Sequence, residues 1–318
     1  MKIGVLTSGG DAPGMNAAIR AVVRRGDSLG IQVYGIRRGY DGILDGDMRP
    51  MGVESVGDTI HRGGTILHTA RSDRFIRPEG QDLAAARLRG VGIEGLVVIG
   101  GEGSLRGMME LCRRGVRCVG IPGTIDNDIA LTEHSIGFDT ALNTGVEAVN
   151  RLRDTATSHD RIFVVETMGR KSGHLALAVG VAGGAESILI PELPVKIDEV
   201  CQKLRRGLDR GKVHSIIVVA EGARSGFVVA KEIEAYLGIE LRVTVLGHVQ
   251  RGGSPSAFDR LIASRLGAKA VDLLAEGKNG LMVGIVGSKA VPLDMEQVLA
   301  TKKEMDLELY NLADDLAR

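Results

Sequence analysis

Two aspartates separated by one residue are the strongest indication of chemistry in this sequence. Asp126 and Asp128 lie in the segment GTIDND (residues 123–128), directly after the apolar run 118–122. In an extended segment, side chains two residues apart point the same way, so both carboxylates are expected on one side. Like charges that close are costly unless a cation, a donor or a shared proton compensates them. A proton-abstracting base beside a metal-phosphate site has this arrangement, and an Asx-type turn is the alternative.

Two glycine-rich segments also follow apolar runs. Residues 6–14 are LTSGGDAPG and residues 100–107 are GGEGSLRG. Glycines allow a ligand to approach the backbone, and the start of a helix attracts anions. The second segment is not a Walker loop, because no Gly-Lys-Ser/Thr follows, and its last glycine falls one residue too late for the dinucleotide pattern. We predict phosphate binding for it, and turns capped by polar side chains are the alternative for both segments.

Further polar groups follow other predicted strands. Residues 166–170 are ETMGR and residues 247–253 are GHVQRGG. An arginine beside Asp126 would stabilise charge on a transferring phosphoryl group, and His, Gln and Arg in one turn suit a sugar phosphate. Taken alone, an arginine at a strand end is more often solvated or ion-paired, and a lone histidine in such a turn is more often structural. A last basic group, at positions 20, 24, 153, 210 and 212, has the spacing of a solvated helix surface.

Short apolar runs alternate with helix-period segments along the chain, from a first strand at 3–6 to a last strand at Met282–Val286. This alternation predicts an α/β fold with parallel sheets and helices on both faces. Ligands of such sheets bind at the carboxyl ends of the strands, where the segments above lie. With 318 residues, two domains are expected, changing near Phe138 and Gly252.

Composition excludes several classes of function. Forty basic residues balance forty acidic ones, aromatic residues make up 3% and tryptophan is absent, so neither nucleic acid nor a membrane is an expected partner. Three cysteines without metal-type spacing indicate a reducing compartment, and no run of 18 apolar residues occurs. We expect a cytoplasmic protein.

Five segments together resemble the bacterial, ATP-dependent type of the phosphofructokinase family. They are TSGGDAPGMNA (7–17), GGEGS (100–104), PGTIDND (122–128), MGR (168–170) and GHVQRGGSP (247–255). The resemblance covers nearly the whole chain, in order. It implies two doubly wound, Rossmann-like domains with the active site between them: an ATP-binding domain of residues 1–137 and 252–304, and a fructose 6-phosphate-binding domain of residues 138–251 and 305–318. The implied reaction is phosphoryl transfer from MgATP to the 1-hydroxyl of fructose 6-phosphate, the committed step of glycolysis.

The resemblance also implies roles for single residues. Asp126 matches the base and Asp128 a carboxylate near the metal and phosphate; Thr124, Gly10 and Arg170 match groups that contact the transferred phosphoryl group. The positions that match ATP contacts are Gly10, Arg71, Ser72, Gly101, Glu102, Gly103 and Ser104, with Glu102 also the implied magnesium-associated carboxylate. The positions that match fructose 6-phosphate contacts are Thr124, Ile125, Asp126, Arg161, Met168, Gly169, Arg170, Glu221, Arg242, His248, Val249, Gln250 and Arg251.

Subunit contacts are implied as well. Arg161 and Arg242 match arginines that reach the sugar phosphate from a neighbouring subunit, which implies a homotetramer. An effector site for ADP or phosphoenolpyruvate is implied at Arg20, Arg24, Asp58, Arg153, Gly184, Glu186, Arg210, Lys212 and His214. The enzyme is therefore expected to be under allosteric control.

Departures from the family pattern keep alternatives open. Glu102 stands where aspartate is commoner, while Gly103 and Gly123 match ATP-using members rather than diphosphate-using relatives, which tend to carry Asp and Lys there. Val213 and Ser72 differ from some members. A diphosphate-dependent kinase and a non-catalytic, effector-binding homologue are the alternative functions.

Overall fold

A computed structural model describes residues 1–317, which divide into two compact units. Unit 1 comprises Met1–Thr124, Asp128–Thr140 and Arg251–Lys303. Unit 2 comprises Ile125–Asn127, Ala141–Gln250 and residues 304–317. Neither unit is continuous in sequence, and the three residues around Asp126 belong to unit 2 although both flanking segments belong to unit 1.

The helices and strands alternate along most of the chain. The strands are β1 (Lys2–Ser8), β2 (Gln32–Ile36), β3 (Met48–Met51), β4 (Gly95–Gly100), β5 (Arg117–Pro122), β6 (Ile162–Thr167), β7 (Ser187–Leu189), β8 (Ser215–Ala220), β9 (Leu241–Val245), β10 (Leu281–Val286) and β11 (Lys289–Asp294). The α-helices are α1 (Met15–Ser28), α2 (Gly39–Asp45), α3 (Asp73–Ile76), α4 (Pro78–Val91), α5 (Glu102–Arg113), α6 (Phe138–His159), α7 (His174–Ala182), α8 (Ile197–Asp209), α9 (Gly226–Leu237), α10 (Ala257–Ala275), α11 (Met295–Ala300) and α12 (Leu307–Leu316). Short 3-10 turns cover Val53–Val56 and Gly247–Arg251.

Unit 1 is built on a sheet in the order β11-β10-β5-β4-β1-β2-β3, whose five inner strands are parallel. Strand β4 is apolar and buried throughout, as expected for a strand covered on both faces. Its Leu96 and Val98 join a core cluster with residues of α2, α4, α5 and α11. A Cβ at the neighbouring Gly95 would instead meet Leu274 of α10, so helices cover both faces.

Helices α1 and α10 pack directly against each other. A Cβ at Gly267 of α10 would lie 2.7 Å from the Ala18 carbonyl oxygen of α1, so the two backbones approach closely there. At the other end of α1, Arg25 Nε lies 2.6 Å from Asp272 Oδ1. The first and one of the last helices of the chain therefore share one interface in unit 1.

Unit 2 is built on a sheet of parallel strands in the order β7-β8-β6-β9. Its core combines inward-facing residues of β6 and β8, such as Val164 and Ile217, with apolar residues of two helices. Val200 and Leu204 come from α8, and Val229 comes from α9. The apolar spacing of these helices therefore buries one stripe of each against the sheet.

The predicted α/β class with mostly parallel sheets is confirmed, but two edge strands differ from the prediction. Met282–Val286 is not the last strand, because β11 follows and pairs antiparallel with β10. Strand β3 pairs antiparallel with β2 at the other edge. Each carries a proline, Pro50 or Pro292, which edge strands tolerate because one side of the strand has no ladder partner. Among the described helices, none has the length and apolar character needed to cross a membrane.

Candidate active site

Three polar segments of unit 1 meet at one edge of its sheet. Strands β1, β4 and β5 are parallel neighbours, so the residues that follow them lie together. A Cβ at Gly100 would lie only 2.5 Å from the Ser8 carbonyl oxygen, and one at Gly101 would lie 3.7 Å from Thr124 Cβ. Gly9, with φ 86°, adopts the left-handed conformation that glycine allows at no cost. The two glycine-rich segments and Thr124 therefore form one surface.

Helix α5 begins at this surface. Its N-cap is Gly101, which has no side chain to accept from the first N–H groups of the helix. A Cβ at Gly103, in the first turn, would meet no atom within 4 Å, so the backbone there borders open space. Exposed N–H groups and the positive end of the helix dipole favour an anion at this position. This helix start can therefore accept a phosphate group.

Arg251 contacts the first glycine-rich segment. Its Nη1 donates to the Asp11 carbonyl oxygen at 3.1 Å, and a Cβ at Gly10 would lie 2.5 Å from the same nitrogen. The guanidinium thus covers Gly10, and both residues belong to unit 1. The resemblance assigned them to different substrates, whereas the structure brings them together.

Two further positions that match ATP contacts, Arg71 and Ser72, directly precede α3. Ser72 caps α3 by accepting from Phe75 N at 3.2 Å, and it donates to Asp41 Oδ1 at 2.5 Å. Arg74 also donates to Asp41, so this hydroxyl is part of a local network. Arg71 is exposed. Ser72 therefore has a structural partner already, whatever it contributes to a nucleotide.

Asp126 is buried, with 3% of its surface exposed. Its carbonyl oxygen accepts from Ser172 Oγ at 3.2 Å within unit 2. Asn127 follows in the left-handed region, with φ 48°, and Asp128 is exposed. The expectation of an extended segment is therefore wrong at Asn127, since the chain turns between the two carboxylates and they differ in burial.

The edge of the unit 2 sheet carries a second group of predicted residues. Strands β8, β6 and β9 are neighbours, and Glu221, the Met168–Arg170 loop and Gln250 follow them. Glu221 Oε1 accepts from Gly169 N at 3.2 Å and from Arg170 N at 2.8 Å. Gln250, fully buried, accepts from Met168 N through Oε1 at 2.8 Å. Two side chains therefore hold three consecutive N–H groups of one loop.

This loop has an unusual backbone. Gly169 has φ 140° and Arg170 has φ 54°, and the Arg170 side chain is exposed. A Cβ at Gly222 would lie 1.9 Å from the Arg170 carbonyl oxygen, so Gly222 must be glycine for the loop to lie there. His248 and Val249 are also exposed. The Arg170 guanidinium and the His248 imidazole thus face solvent, and the backbone of the Met168–Arg170 loop is fixed by hydrogen bonds to Glu221 and Gln250.

Arg161 and Arg242 do not join this group. Arg161 directly precedes β6, and Arg242 is the second residue of β9, opposite Phe163 in the parallel register. Both therefore lie at the amino ends of their strands, whereas the Met168–Arg170 loop follows the carboxyl end of β6 and the Gly247–Arg251 turn follows that of β9. Arg242 also forms a two-bond ion pair with Glu240, at 2.7 and 3.1 Å. Within one chain, these arginines lie at the opposite edge of the sheet.

Comparisons with known proteins agree with these features. The phosphofructokinase family model matches residues 2–274. The chain belongs to the phosphofructokinase family. An ATP-dependent 6-phosphofructokinase of Halalkalibacterium halodurans is 58% identical over 316 residues, and one of Bacillus subtilis is 55% identical over 316; each alignment covers 99% of both chains. The resemblance inferred from the five motifs is thereby confirmed.

A solved phosphofructokinase structure shares the fold. The phosphofructokinase of Saccharomyces cerevisiae superposes with a TM-score of 0.89 at 37% identity. The match covers 99% of this chain and 48% of the yeast chain, so this chain spans about half the length of that relative. The α/β architecture with mostly parallel sheets is therefore that of the phosphofructokinase family.

Part of the implied effector group is assembled within unit 2. Glu186 Oε1 lies 2.6 Å from Lys212 Nζ and 3.9 Å from Arg153 Nη1. Arg153 also donates to the Gly184 carbonyl oxygen at 2.7 Å. Glu186, Arg210 and Lys212 line a surface cavity of about 930 Å³. His214 is half-buried in the same unit, whereas Arg20, Arg24 and Asp58 lie in unit 1.

The site residues that could contact a metal are carboxylates of unit 1. Glu102 and Asp128 both line a depression of about 230 Å³. Among residues 1–317, no group of three or more His, Cys, Asp or Glu side chains could hold a metal. Magnesium prefers oxygen ligands and keeps several waters or phosphate oxygens, so two carboxylates that line one depression fit it.

Three side chains near the site were missed by the sequence analysis. Burial lowers the pKa of Lys303 to about 8, although the negative charges of Asp128 and Glu133 raise it. Asp259 of α10 is fully buried and accepts from Thr140 N in the first turn of α6. Arg106 pairs with Glu102 at 2.5 Å, and only this pair had a signal in the sequence, the i, i+4 spacing of opposite charges on a helix.

Proposed function

We propose that this chain transfers the γ-phosphoryl group of ATP to the 1-hydroxyl of fructose 6-phosphate, with Asp126 as the base. The observation that carries the proposal is the GTIDND segment with its buried Asp126, in a chain matched from end to end by ATP-dependent 6-phosphofructokinases. The enzyme class predicted from the sequence, a phosphotransferase to an alcohol group, is confirmed by these relatives.

Unit 1 is the proposed ATP-binding unit. The N–H groups at the start of α5, where Gly103 borders open space, would hold the phosphates together with the backbone of Gly10 and Gly101. Thr124 lies beside Gly101 and would contact the γ-phosphoryl group. Ser104, buried behind Gly9, would support the loop, while Arg71 and Ser72 would lie toward the nucleoside. A preorganised set of donors stabilises the charge that develops during transfer.

Asp126 would take the proton of the attacking hydroxyl. Burial removes water from the carboxylate, and the bond from Ser172 to its backbone fixes the position of the residue. A general base must be within hydrogen-bond reach of the proton it removes, and a fixed, dry carboxylate meets that need. Arg170, held by Glu221 through its own N–H group, would neutralise negative charge on the transferred group.

Unit 2 is the proposed fructose 6-phosphate-binding unit. The backbone around Ile125, the Met168–Arg170 loop and Glu221 would contact the sugar hydroxyls, and the Gly247–Arg251 turn would contact the phosphate through His248 and Arg251. Val249 and Gln250 belong to that turn, with Gln250 fixing the Met168 backbone. Arg161 and Arg242 would reach the phosphate bound by a neighbouring subunit, because they lie at the opposite edge of their own sheet.

Glu102 and Asp128 would hold magnesium together with the ATP phosphates. The ion would neutralise phosphate charge when bound. Because glutamate is one methylene longer than aspartate, we expect the contact from Glu102 to run through a water molecule. The chain's own part is to place two carboxylates in one depression beside the phosphate site.

The proposed assembly and regulation are those that the family resemblance implies. A cytoplasmic homotetramer would complete the sites that use Arg161 and Arg242. ADP or phosphoenolpyruvate would bind at the effector group, for which the Arg153–Glu186–Lys212 cluster is the assembled part. Diphosphate as donor is disfavoured because the open space at Gly103 leaves room for a nucleotide.

A coupled assay with purified protein tests the proposal. Fructose 1,6-bisphosphate should form only with ATP, fructose 6-phosphate and a saturable amount of Mg²⁺, and not when diphosphate replaces ATP. Asp126→Asn should lower kcat by about 10²- to 10⁴-fold, with KM values within a few-fold of wild type, because it removes a proton acceptor of nearly equal size. Asp198→Asn, at an exposed position of α8, is the control. Full activity of Asp126→Asn would refute the role of base.

A further inference from the structure

The carboxylate of Glu102 is already bound by a cation of the chain itself. Arg106, one turn later on α5, places Nε at 2.8 Å and Nη2 at 2.5 Å from Glu102 Oε1. Both bonds fall on one oxygen, and Oε2 accepts no hydrogen bond from residues 1–317. About half of each side chain is exposed, 51% for Glu102 and 56% for Arg106, so the pair borders solvent. The guanidinium therefore occupies one of the two carboxylate oxygens that a divalent cation could use.

A second contact keeps the guanidinium in place. Arg106 Nη2 also lies 3.4 Å from the Leu299 carbonyl oxygen, in the last turn of α11. Carbonyl groups at a helix end carry partial negative charge, which favours a cation. Glu102, Arg106, Asp128 and Leu299 line the same depression in unit 1. The arginine is thus bound from two sides within the depression that holds both candidate metal ligands.

We propose that Arg106 competes with the divalent cation for Glu102, so that this arginine sets how strongly Mg²⁺ supports nucleotide binding. The inference rests on the proposed function of Glu102. A glutamate reaches Arg106 at i, i+4 and also has the length to exchange the guanidinium for a hydrated ion. When the nucleotide brings the cation, the cation meets a carboxylate whose negative charge is already paired with the guanidinium.

The size of the effect follows from the exposure of the pair. Exposed ion pairs change equilibria by up to about fivefold, because water screens them and the side chains must be ordered. Removal of the competing charge should therefore strengthen the contribution of Mg²⁺ to nucleotide affinity by about two- to fivefold. Arg106 is a positioning residue in this account, since it acts through Glu102.

Calorimetric titration of the full chain with a non-hydrolysable ATP analogue tests the proposal. The dissociation constant of the analogue is measured with saturating Mg²⁺ and again with EDTA. The dissociation constant in EDTA divided by that in Mg²⁺ gives the contribution of the metal to nucleotide affinity. Arg106→Gln should raise this ratio about two- to fivefold, and Arg106→Lys should leave it near the wild-type value because a cation stays within reach of Glu102. Arg113→Gln, which breaks a similar pair with Glu110 at the other end of α5, is the control.

The double variant Glu102→Gln/Arg106→Gln tests whether Arg106 acts by competing for Glu102 or through its positive charge alone. If Arg106 acts through Glu102, Arg106→Gln has no effect on the ratio once Glu102→Gln is present. An unchanged or lower ratio in Arg106→Gln, or the same rise in the Glu102→Gln background, would overturn the inference. Far-UV circular dichroism melts confirm that each variant is folded. Absence of analogue binding by the wild type overturns the proposed function as well, whereas normal binding without a response to Arg106→Gln overturns the inference alone.

Discussion

Asp259→Asn is expected to change how the stability of unit 1 depends on pH. Asp259 is fully buried on α10 and holds the start of α6. Its Oδ1 accepts from Gly137 N at 2.8 Å, and its Oδ2 accepts from Thr140 N at 2.8 Å and from Thr140 Oγ1 at 2.5 Å. Burial raises the pKa of Asp259 from 3.8 to about 6, although these hydrogen bonds lower it.

The sign of the effect follows from proton linkage. Because the pKa of Asp259 is higher in the folded state, the folded protein holds this proton more tightly than the unfolded chain. The resulting stabilisation is full below pH 3.8 and is lost as the pH rises through about 6. A shift of this size corresponds to about 3 kcal/mol in total, of which about 1 kcal/mol is lost between pH 5 and pH 7. Asparagine has no such proton, so the variant lacks this slope.

The variant also loses hydrogen bonds. The amide nitrogen of asparagine must face at least one of the N–H groups of Gly137 and Thr140, and an unsatisfied buried donor costs about 1–3 kcal/mol. Asp259→Asn should therefore be less stable than wild type at pH 5, and this deficit should shrink by about 1 kcal/mol at pH 7.

Urea unfolding followed by far-UV circular dichroism at pH 5, 6 and 7 measures the deficit; the chain has no tryptophan to report on it. Asp272→Asn controls for the loss of one negative charge from the same helix. A deficit that stays constant, or that grows from pH 5 to pH 7, would refute the reasoning.

Two predictions concern the Met168–Arg170 loop. Glu221→Ala frees two N–H groups, so it should raise KM for fructose 6-phosphate and lower the free energy of unfolding by about 1–3 kcal/mol; an unchanged KM would contradict this. Gly222→Ala places a Cβ 1.9 Å from the Arg170 carbonyl oxygen, so the loop must move and kcat should fall by about 10²-fold in the coupled assay. Gly90→Ala, where a Cβ on α4 meets no atom within 4 Å, is the matched control and should stabilise the protein by about 0.5–1 kcal/mol with unchanged kinetics.

Much of the fold could be predicted because its signals are local. The apolar run of β4 and the apolar stripe of α5 bury these elements in any α/β protein, and such runs alternate with helix-period segments along the sequence. The edge strands β3 and β11 were not predicted because they are half-exposed and contain a proline, and β3 has only four residues. Their pairing depends on neighbouring strands rather than on their own composition.

The candidate site could be predicted only as separate segments. The glycines after β1 and β4 indicated phosphate binding, but the contact of Arg251 with Gly10 joins residues 241 positions apart, and no local pattern reports it. The prediction that the Asp126 and Asp128 side chains point the same way was wrong because Asn127 between them is left-handed. The two-residue spacing rule holds only for extended backbone. The pairing of Glu102 with Arg106 was available from helical spacing alone.

The packing of α1 on α10 has a consequence for synthesis on the ribosome. Helix α1 emerges early, yet the surface that covers it, with Gly267 and Asp272, is made after most of the chain has been translated. Unit 1 can therefore complete its fold only late in translation. Unit 2 cannot complete its fold until residues 304–317 have been made. We expect nascent chains that stop before α10 to remain protease-sensitive and to rely on chaperones, unlike proteins whose domains fold one after another as they emerge.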